Sequence, residues 1–175
     1  MALVAFLRGV NVGGHRAFRP SQVAREMSRY GMVNIGAAGT FVIHRPMTQA
    51  KLRAELVKRL PFATQIMICD GREILALETT NPYRQAPKGA DITRFVSIMA
   101  KRRRLAPATP IQLPPAGKWL LKILATDKRF AFGVYRRHMK VIGYLGMLDK
   151  LLGTPVTTRN WNTISSVIKV LQDSA

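Results

Sequence analysis

Apolar and polar residues alternate in blocks along the first half of the chain, and these blocks predict a regular order of strands and helices. Four short apolar runs are typical of buried strands, at residues 3–7, 32–35, 39–44 and 64–69. Between the first two runs, Val23, Met27 and Tyr30 recur at helical spacing. That helical segment starts at Pro20 and stops at Gly31.

A second helical segment separates the third and fourth apolar runs. Thr48 stands where an N-cap is expected, and Pro61 ends a segment in which Leu52, Leu56 and Leu60 share one face. The resulting order, β-α-β-β-α-β, is that of a ferredoxin-like lobe. A short helix over residues 71–78 is expected to follow.

The second half of the chain is also mixed. Its expected elements are a strand at 93–99, a Pro-rich connection at 107–115, a hairpin of 118–126 and 129–137 about Asp127-Lys128, and a helix at 143–152 closed by Gly153. A last helix is expected to begin near Thr158, with Trp161, Ile164, Ile168 and Leu171 on one stripe. The predicted fold class is α+β, with a ferredoxin-like lobe at 1–85 and a second α+β lobe at 86–175 in one compact unit.

The charge of the chain is its most unusual property. There are 28 lysines and arginines against nine aspartates and glutamates, a formal net charge of +19. The excess is present in both halves, so it belongs to the whole surface and not to a tail. Such a surface attracts nucleic acid, anionic membrane or phosphorylated substrates, and the alternative is a cationic surface that has no specific ligand.

Cysteine usage and the N-terminus both favour a cytoplasmic location. Cys69 is the only cysteine, which excludes an internal disulfide, and the apolar residues before it indicate a buried strand end more than a catalytic thiol. The apolar N-terminus ends at Arg8 and is too short for a signal peptide or a membrane span.

Two motifs at opposite ends of the chain carry a resemblance to a known family. "LVAFLRGVNVGG" at residues 3–14 resembles the opening of the bacterial domain of unknown function 1697 family, and "TTRNWNT" at 157–163 resembles its closing motif. Glu73, Asn81 and Pro82 fall where that family tends to keep E-L…N-P. The resemblance implies an α+β fold of ferredoxin-like character and brings no established activity.

One stretch departs from the family pattern. The family usually carries Q-S-G-N between its second and third strands, and this chain has Ala37-Ala38-Gly39-Thr40 there. If those polar side chains contribute to a family site, part of that site is missing here.

The RGVNVGG stretch has two interpretations. Backbone N–H groups after a strand, in a glycine-rich turn, suit an anion, which makes Arg8, Asn11, Gly13 and Gly14 candidate ligands. However, the stretch matches neither a P-loop nor a dinucleotide fingerprint. The alternative, which we favour, is a turn that needs positive φ, with Asn11 bonding its own backbone.

The TTRNWNT stretch also has two interpretations. Thr157 or Thr158 would cap the last helix, and Trp161 would point into the core. In the functional interpretation, Thr158, Arg159 and Asn160 present hydrogen-bond donors to a phosphate or carboxylate, together with the RGVNVGG turn. The alternative is that Arg159 pairs with a carboxylate or with backbone carbonyls.

The stretch KRFAFGVY, residues 128–135, partly matches an RNA-recognition signature, although Gly133 replaces the aliphatic residue. Phe130 and Phe132 share one strand face, as base stacking requires, but alternating phenylalanines are more typical of a core. The basic residues that would track a phosphate backbone are Lys101, Arg102, Arg103, Arg104, Lys128, Arg129, Arg136 and Arg137.

The sequence therefore supports two hypotheses on function. In the first, the protein binds polyanions such as nucleic acid through its basic surface. In the second, it is an enzyme or regulator that binds a small anionic metabolite between the RGVNVGG and TTRNWNT motifs. The three histidines lack metal-ligand spacing, so no metal is expected. No cofactor is expected either.

Overall fold

The computed structural model describes residues 1–11, 14, 16–103, 105 and 107–173. The chain divides into two compact units, each described by itself below. The first unit comprises Met1–Thr80 together with Asn162–Ala175, and the second comprises Asn81–Trp161. The division is discontinuous, because the first unit draws residues from both ends of the chain.

The first unit contains a four-stranded sheet in the order β2-β3-β1-β4, in which every neighbouring pair is antiparallel. Its elements before residue 81 are β1 (Leu3–Leu7), α1 (Pro20–Glu26), a 3-10 turn (Ser28–Tyr30), β2 (Met32–Ile35), β3 (Thr40–Ile43), α2 (Gln49–Arg59), β4 (Ile66–Asp70) and α3 (Gly71–Thr80). All of the strands predicted for this half are present.

The two predicted helix signals of this unit have the expected physical basis. Pro20 occupies the start of α1, where its missing N–H costs nothing. Thr48 caps α2, since its hydroxyl accepts a hydrogen bond from the Lys51 N–H at 3.1 Å. Leu52 and Leu56 of α2 are fully buried against the sheet core. The apolar stripe and the cap therefore specify α2 together.

The second unit contains a five-stranded antiparallel sheet in the order β6-β7-β8-β5-β9. Its strands and helices are β5 (Ile92–Met99), β6 (Ile111–Leu113), β7 (Leu121–Asp127), β8 (Phe130–Arg136), α4 (Val141–Gly146), α5 (Leu148–Leu152) and β9 (Val156–Asn160). The last helix, α6 (Trp161–Gln172), begins at the end of this unit. With two antiparallel sheets and helices, the fold is α+β, as predicted.

Both faces of the second sheet are buried. Phe95, Leu121 and Ile123 pack with Leu148 and Leu152 in one core cluster. The alternate positions of the strands face the other way and are also buried, namely Val96, Ile98, Phe130, Phe132 and Val134. Phe130 and Phe132 are thus core residues, as the sequence favoured.

Two helix predictions for the second half need correction. The single helix expected over 143–152 is two short helices, α4 and α5, although Gly153 closes the second one in a left-handed conformation, as predicted. The last helix begins at Trp161 and not near Thr158, because residues 156–160 form strand β9. The run Val156-Thr157-Thr158 is β-branched, and pairing with β5 gives hydrogen-bond partners to the backbone groups on one side of it.

No helix in the described part of the chain is both long and apolar enough to cross a membrane.

Candidate functional site

Two residues that follow β1 have positive φ. Gly9 has a φ of +61° and Asn11 a φ of +54°. The Asn11 amide spans the turn, because its Nδ2 donates to the Ala37 carbonyl at 2.7 Å and its Oδ1 accepts from the Phe18 N–H at 2.9 Å. The turn therefore has the positive φ that the sequence indicated, but Asn11 bonds distant backbone groups and not its own.

The start of β4 packs beside Arg8. The Arg8 N–H donates to the Gln65 carbonyl at 3.0 Å, and the Thr64 hydroxyl donates to the Arg8 carbonyl at 2.5 Å. The Arg8 guanidinium then donates to the Gln65 side-chain oxygen at 3.0 Å. Both ends of Arg8 are thus positioned by residues that lie more than fifty places later in the sequence.

These groups border an open cleft of about 670 Å³, lined by Arg8, Arg16, Ala63, Thr64 and Gln65. We call it the arginine cleft. Arg16 has a φ of +49° and is exposed, and its Nη1 lies 4.0 Å from the position that a Cβ on Gly9 would occupy. The cleft therefore places two guanidinium groups beside a hydroxyl and an amide.

Gly14 of the RGVNVGG motif does not line this cleft. Gly14 is exposed, with a φ of +77°, and is not among the lining residues. Gly13 lies outside the described residues. Among the described anion-ligand candidates of this motif, only Arg8 lines the cleft, and the Asn11 side chain bonds the backbones of Phe18 and Ala37.

The stretch that replaces Q-S-G-N contacts this turn through its backbone. The Ala37 carbonyl accepts from Asn11, and the Gly39 carbonyl accepts from the Leu7 N–H at 2.8 Å. Gly39 has a φ of +73°, and a Cβ there would lie 2.8 Å from Leu7 side-chain atoms. Gly39 is therefore required for close packing, whereas Ala37 and Ala38 are exposed.

Most of the TTRNWNT motif is a strand in the second unit. Thr158 lies opposite Ser97 in the pairing of β9 with β5, and their hydroxyls are 2.7 Å apart. The prediction that Thr157 or Thr158 caps the last helix is therefore wrong. Asn160 is exposed at the end of β9, and Trp161 is half-buried, with its ring centroid 5.2 Å from that of Tyr83.

Arg159 is a buried cation in the middle of this motif, with only 7% of its surface exposed. Its Nη1 donates to the Thr157 hydroxyl at 2.8 Å and to the Thr158 carbonyl at 3.0 Å. Burial lowers the pKa of Arg159 to about 10, which leaves it charged at neutral pH. The TTRN residues and the RGVNVGG turn belong to different units, and their shared anion site stays a prediction.

The RNA-recognition comparison loses its physical basis in the second unit. Phe130 and Phe132 are 1% and 0% exposed, so neither ring is available for a base to stack on. Gly133 lies directly opposite Phe95, and a Cβ on Gly133 would clash with the Phe95 ring. Gly133, which departs from the RNA-recognition signature, therefore leaves space for the buried ring of Phe95.

The basic residues predicted to contact nucleic acid differ in how exposed they are. Lys101, Arg102, Arg103, Lys128 and Arg137 are exposed. Arg129 donates to the Met99 carbonyl at 3.2 and 3.1 Å, which makes it a partly buried structural residue. Arg104 lies outside the described residues.

Arg136 is engaged within its own unit. Its guanidinium carbon lies 4.2 Å from the Trp119 ring centroid, and its Nη1 lies 3.0 Å from Asp91 Oδ2. This hydrogen bond and the charge of Arg136 lower the pKa of Asp91. Lys122 approaches the same Trp119 ring, with Nζ 5.0 Å from the centroid. Trp119 therefore has cations against its ring, a cluster that the sequence did not reveal.

The residues that sequence reasoning missed are Arg16, Thr64 and Gln65 of the arginine cleft. Thr64 and Gln65 fall at the start of an expected strand, and Arg16 falls between the glycines and the first helix. No motif spacing links them, because only strand pairing brings β4 beside β1. In the described residues, no group of three or more His, Cys, Asp or Glu is arranged to hold a metal ion.

Comparisons with known proteins agree with the fold. A family model described as "Protein of unknown function (DUF1697)" matches residues 1–113, which include the RGVNVGG motif but not TTRNWNT. The solved structure of conserved bacterial protein SP0830 from Streptococcus pneumoniae is similar over 97% of this chain and 98% of that one, with a TM-score of 0.60 and 12% identity. No curated protein matches the chain.

Proposed function

The chain belongs to the DUF1697 family of proteins of unknown function, and from that premise we propose that it binds a phosphate-bearing ligand in the arginine cleft. The observation that carries the proposal is the pair of guanidinium groups, Arg8 and Arg16, on one open cleft. Guanidinium groups match the geometry of phosphate oxygens and bind them through paired hydrogen bonds.

The composition of the cleft supports an anion as the ligand. Among the described residues that line it there is no carboxylate. Two like charges beside the same cleft repel each other, and an anion between them removes that repulsion. Thr64 and Gln65 supply neutral polar groups, and none of the lining residues that the structure describes is an imidazole or a carboxylate that would act as a general base. The proposal concerns binding.

Calorimetric titration with inorganic pyrophosphate and with a nucleoside triphosphate tests this proposal. Arg8→Ala and Arg16→Ala should each weaken binding by about tenfold or more, since each removes a charge-assisted hydrogen bond. Arg25→Ala is the matched control, because Arg25 is exposed on α1, outside the cleft. If Arg25→Ala weakens binding as much as the cleft variants do, the attraction is that of the general surface charge and the cleft is not the site.

A second candidate function rests on the charge of the second unit. Residues 81–161 contain 16 lysines and arginines against three aspartates and no glutamate. Of the three, Asp91 pairs with Arg136, and Asp149 accepts from the Val156 N–H. The exposed cations Lys101, Arg102 and Arg103 support non-specific binding of a polyanion such as nucleic acid.

Salt dependence separates the two candidates. Binding of random RNA through the second unit should weaken steeply with salt, with a logarithmic slope of about one per phosphate contacted, whereas a ligand in the arginine cleft should show a shallow dependence. Neutralising Lys101, Arg102 and Arg103 together should reduce that slope. A triple variant of Arg25, Lys51 and Arg72, exposed cations of the first unit, is the control. Equal effects from both triples would contradict a role for the second unit.

We infer in addition that the first unit is a ferredoxin-like lobe. Its β-α-β-β-α-β order and the strand order β2-β3-β1-β4 support this inference, as does the antiparallel pairing of every neighbour. A solved structure of the isolated protein would test it.

A further inference from the structure

A short helical segment of the second unit exposes large apolar side chains to solvent. Met139 is 88% exposed, Ile142 77% and Met147 42%. We call these three residues the exposed apolar face. Apolar residues that lie close together on a charged surface are typical of a binding site, whereas single exposed ones are common and need no explanation.

The fold of the second unit does not use this face. Val141, Leu148 and Leu152 of the same segment are buried, and they lie on the side of α4 and α5 opposite to the exposed apolar face. Between the exposed side chains lie Gly143 and Gly146, where an added Cβ would meet no atom within 4 Å. The space above the face is therefore open, and the packing of the unit imposes no requirement for apolar residues there.

Cations surround the exposed apolar face. Arg137, Lys140 and Lys150 are exposed in the same segment. Its one acidic residue, Asp149, is half-buried and accepts a hydrogen bond from the Val156 N–H at 3.0 Å. The surface thus combines apolar side chains with basic ones and presents little negative charge.

We propose that this face docks on the surface of an anionic lipid bilayer. Apolar side chains that enter the boundary between headgroups and acyl chains, flanked by lysines and arginines that contact anionic headgroups, are the common pattern of peripheral membrane binding. Each basic residue near such a surface strengthens binding by about fivefold. A second copy of the chain is a poor occupant, because each copy carries +19 and the two would repel.

Vesicle sedimentation tests the proposal, with vesicles of phosphatidylcholine alone and of phosphatidylcholine mixed with phosphatidylglycerol. The protein should bind the mixed vesicles and not the neutral ones. Ile142→Ser leaves the net charge unchanged and should weaken that binding by about tenfold, because an apolar side chain no longer enters the bilayer. Val57→Ser is the matched control, since Val57 is an exposed apolar residue (59%) on α2 of the first unit.

The comparison of Ile142→Ser with Val57→Ser separates docking of the face from general attraction of a cationic protein, because neither change alters the net charge. Gly146→Glu fits without a clash and places a negative charge on the face, so it should weaken binding further. If Ile142→Ser and Gly146→Glu bind the mixed vesicles as the unaltered protein does, charge alone explains the attraction and the proposal is wrong. Absence of binding to either vesicle also overturns it and leaves an acidic protein as the occupant to examine.

Discussion

The side-chain amide of Asn11 lies 2.7 Å from the carbonyl oxygen of Ala37 and ties the turn after β1 to the turn between β2 and β3. The same amide accepts from the Phe18 N–H, so both of its ends are used by the backbone. The two turns that the family resemblance singled out are therefore physically linked, and the link passes through a carbonyl that any residue at position 37 would supply.

Asn11→Ala should lower the free energy of unfolding by about 1–3 kcal/mol, because the partly buried Phe18 N–H loses its acceptor and the Ala37 carbonyl loses its donor. Asn11→Gly separates two causes, since glycine adopts the φ of +54° without strain and still lacks the amide. Urea denaturation measures both. Unfolding free energies within error of the unaltered protein for both variants would show that the link contributes nothing.

Gly39→Ala should destabilise the first unit more than Gly36→Ala does. Both glycines have positive φ, +73° and +68°, so each alanine meets a backbone cost of about 1–2 kcal/mol. Only at Gly39 would a Cβ lie 2.8 Å from Leu7, which should add about 1–3 kcal/mol of overpacking, whereas Gly36 has open space. Thermal or urea unfolding of the two variants gives the comparison, and equal losses would argue against the contact.

Trp161→Ala should cost about 1–2 kcal/mol, less than the 3–5 kcal/mol typical of a fully buried aromatic residue. The reason is that Trp161 is half-buried, with its ring against Tyr83. Ile164→Ala is the comparison in the same helix, since Ile164 is fully buried and should cost about 2–5 kcal/mol. A larger loss from Trp161→Ala than from Ile164→Ala would contradict the half-buried position.

The Asp91–Arg136 pair should be visible in a pH titration. The Arg136 guanidinium holds the pKa of Asp91 below its usual value, so any stabilisation from the pair is fully present above the unfolded pKa of about 3.9. It is lost as the pH falls through the lower, folded pKa. Carboxyl ¹³C shifts measured by NMR should give this midpoint, and Arg136→Gln should raise it; an unchanged midpoint would show that the pair does not form in solution.

Local signals made much of the fold predictable from the sequence. Thr48 followed by a leucine stripe specified α2, and Asp127-Lys128 between apolar runs specified the β7–β8 hairpin, in which Lys128 has a φ of +53°. These elements could be predicted because helix caps and tight turns are specified by residues that are close together in sequence.

The features that could not be predicted depend on contacts between residues that are distant in sequence. Thr157 and Thr158 satisfied the rule for a helix cap, but residues 156–160 pair with β5 along their whole length, and pairing outweighed capping. Nothing in the sequence explained Gly133 in place of an aliphatic residue, because the reason is Phe95, which lies opposite it on the neighbouring strand. The arginine cleft likewise depends on the pairing of β1 with β4, which no local pattern encodes.

The discontinuous first unit has a consequence for synthesis of the protein. Leu171 of α6 packs near Gly71, and the Gln172 amide donates to Glu78 at 2.9 Å, so contacts of the first unit depend on residues that follow the entire second unit. On the ribosome, residues 81–161 emerge before those contacts form. The first unit therefore stays incomplete while residues 81–161 are translated, and it closes only after α6 has emerged.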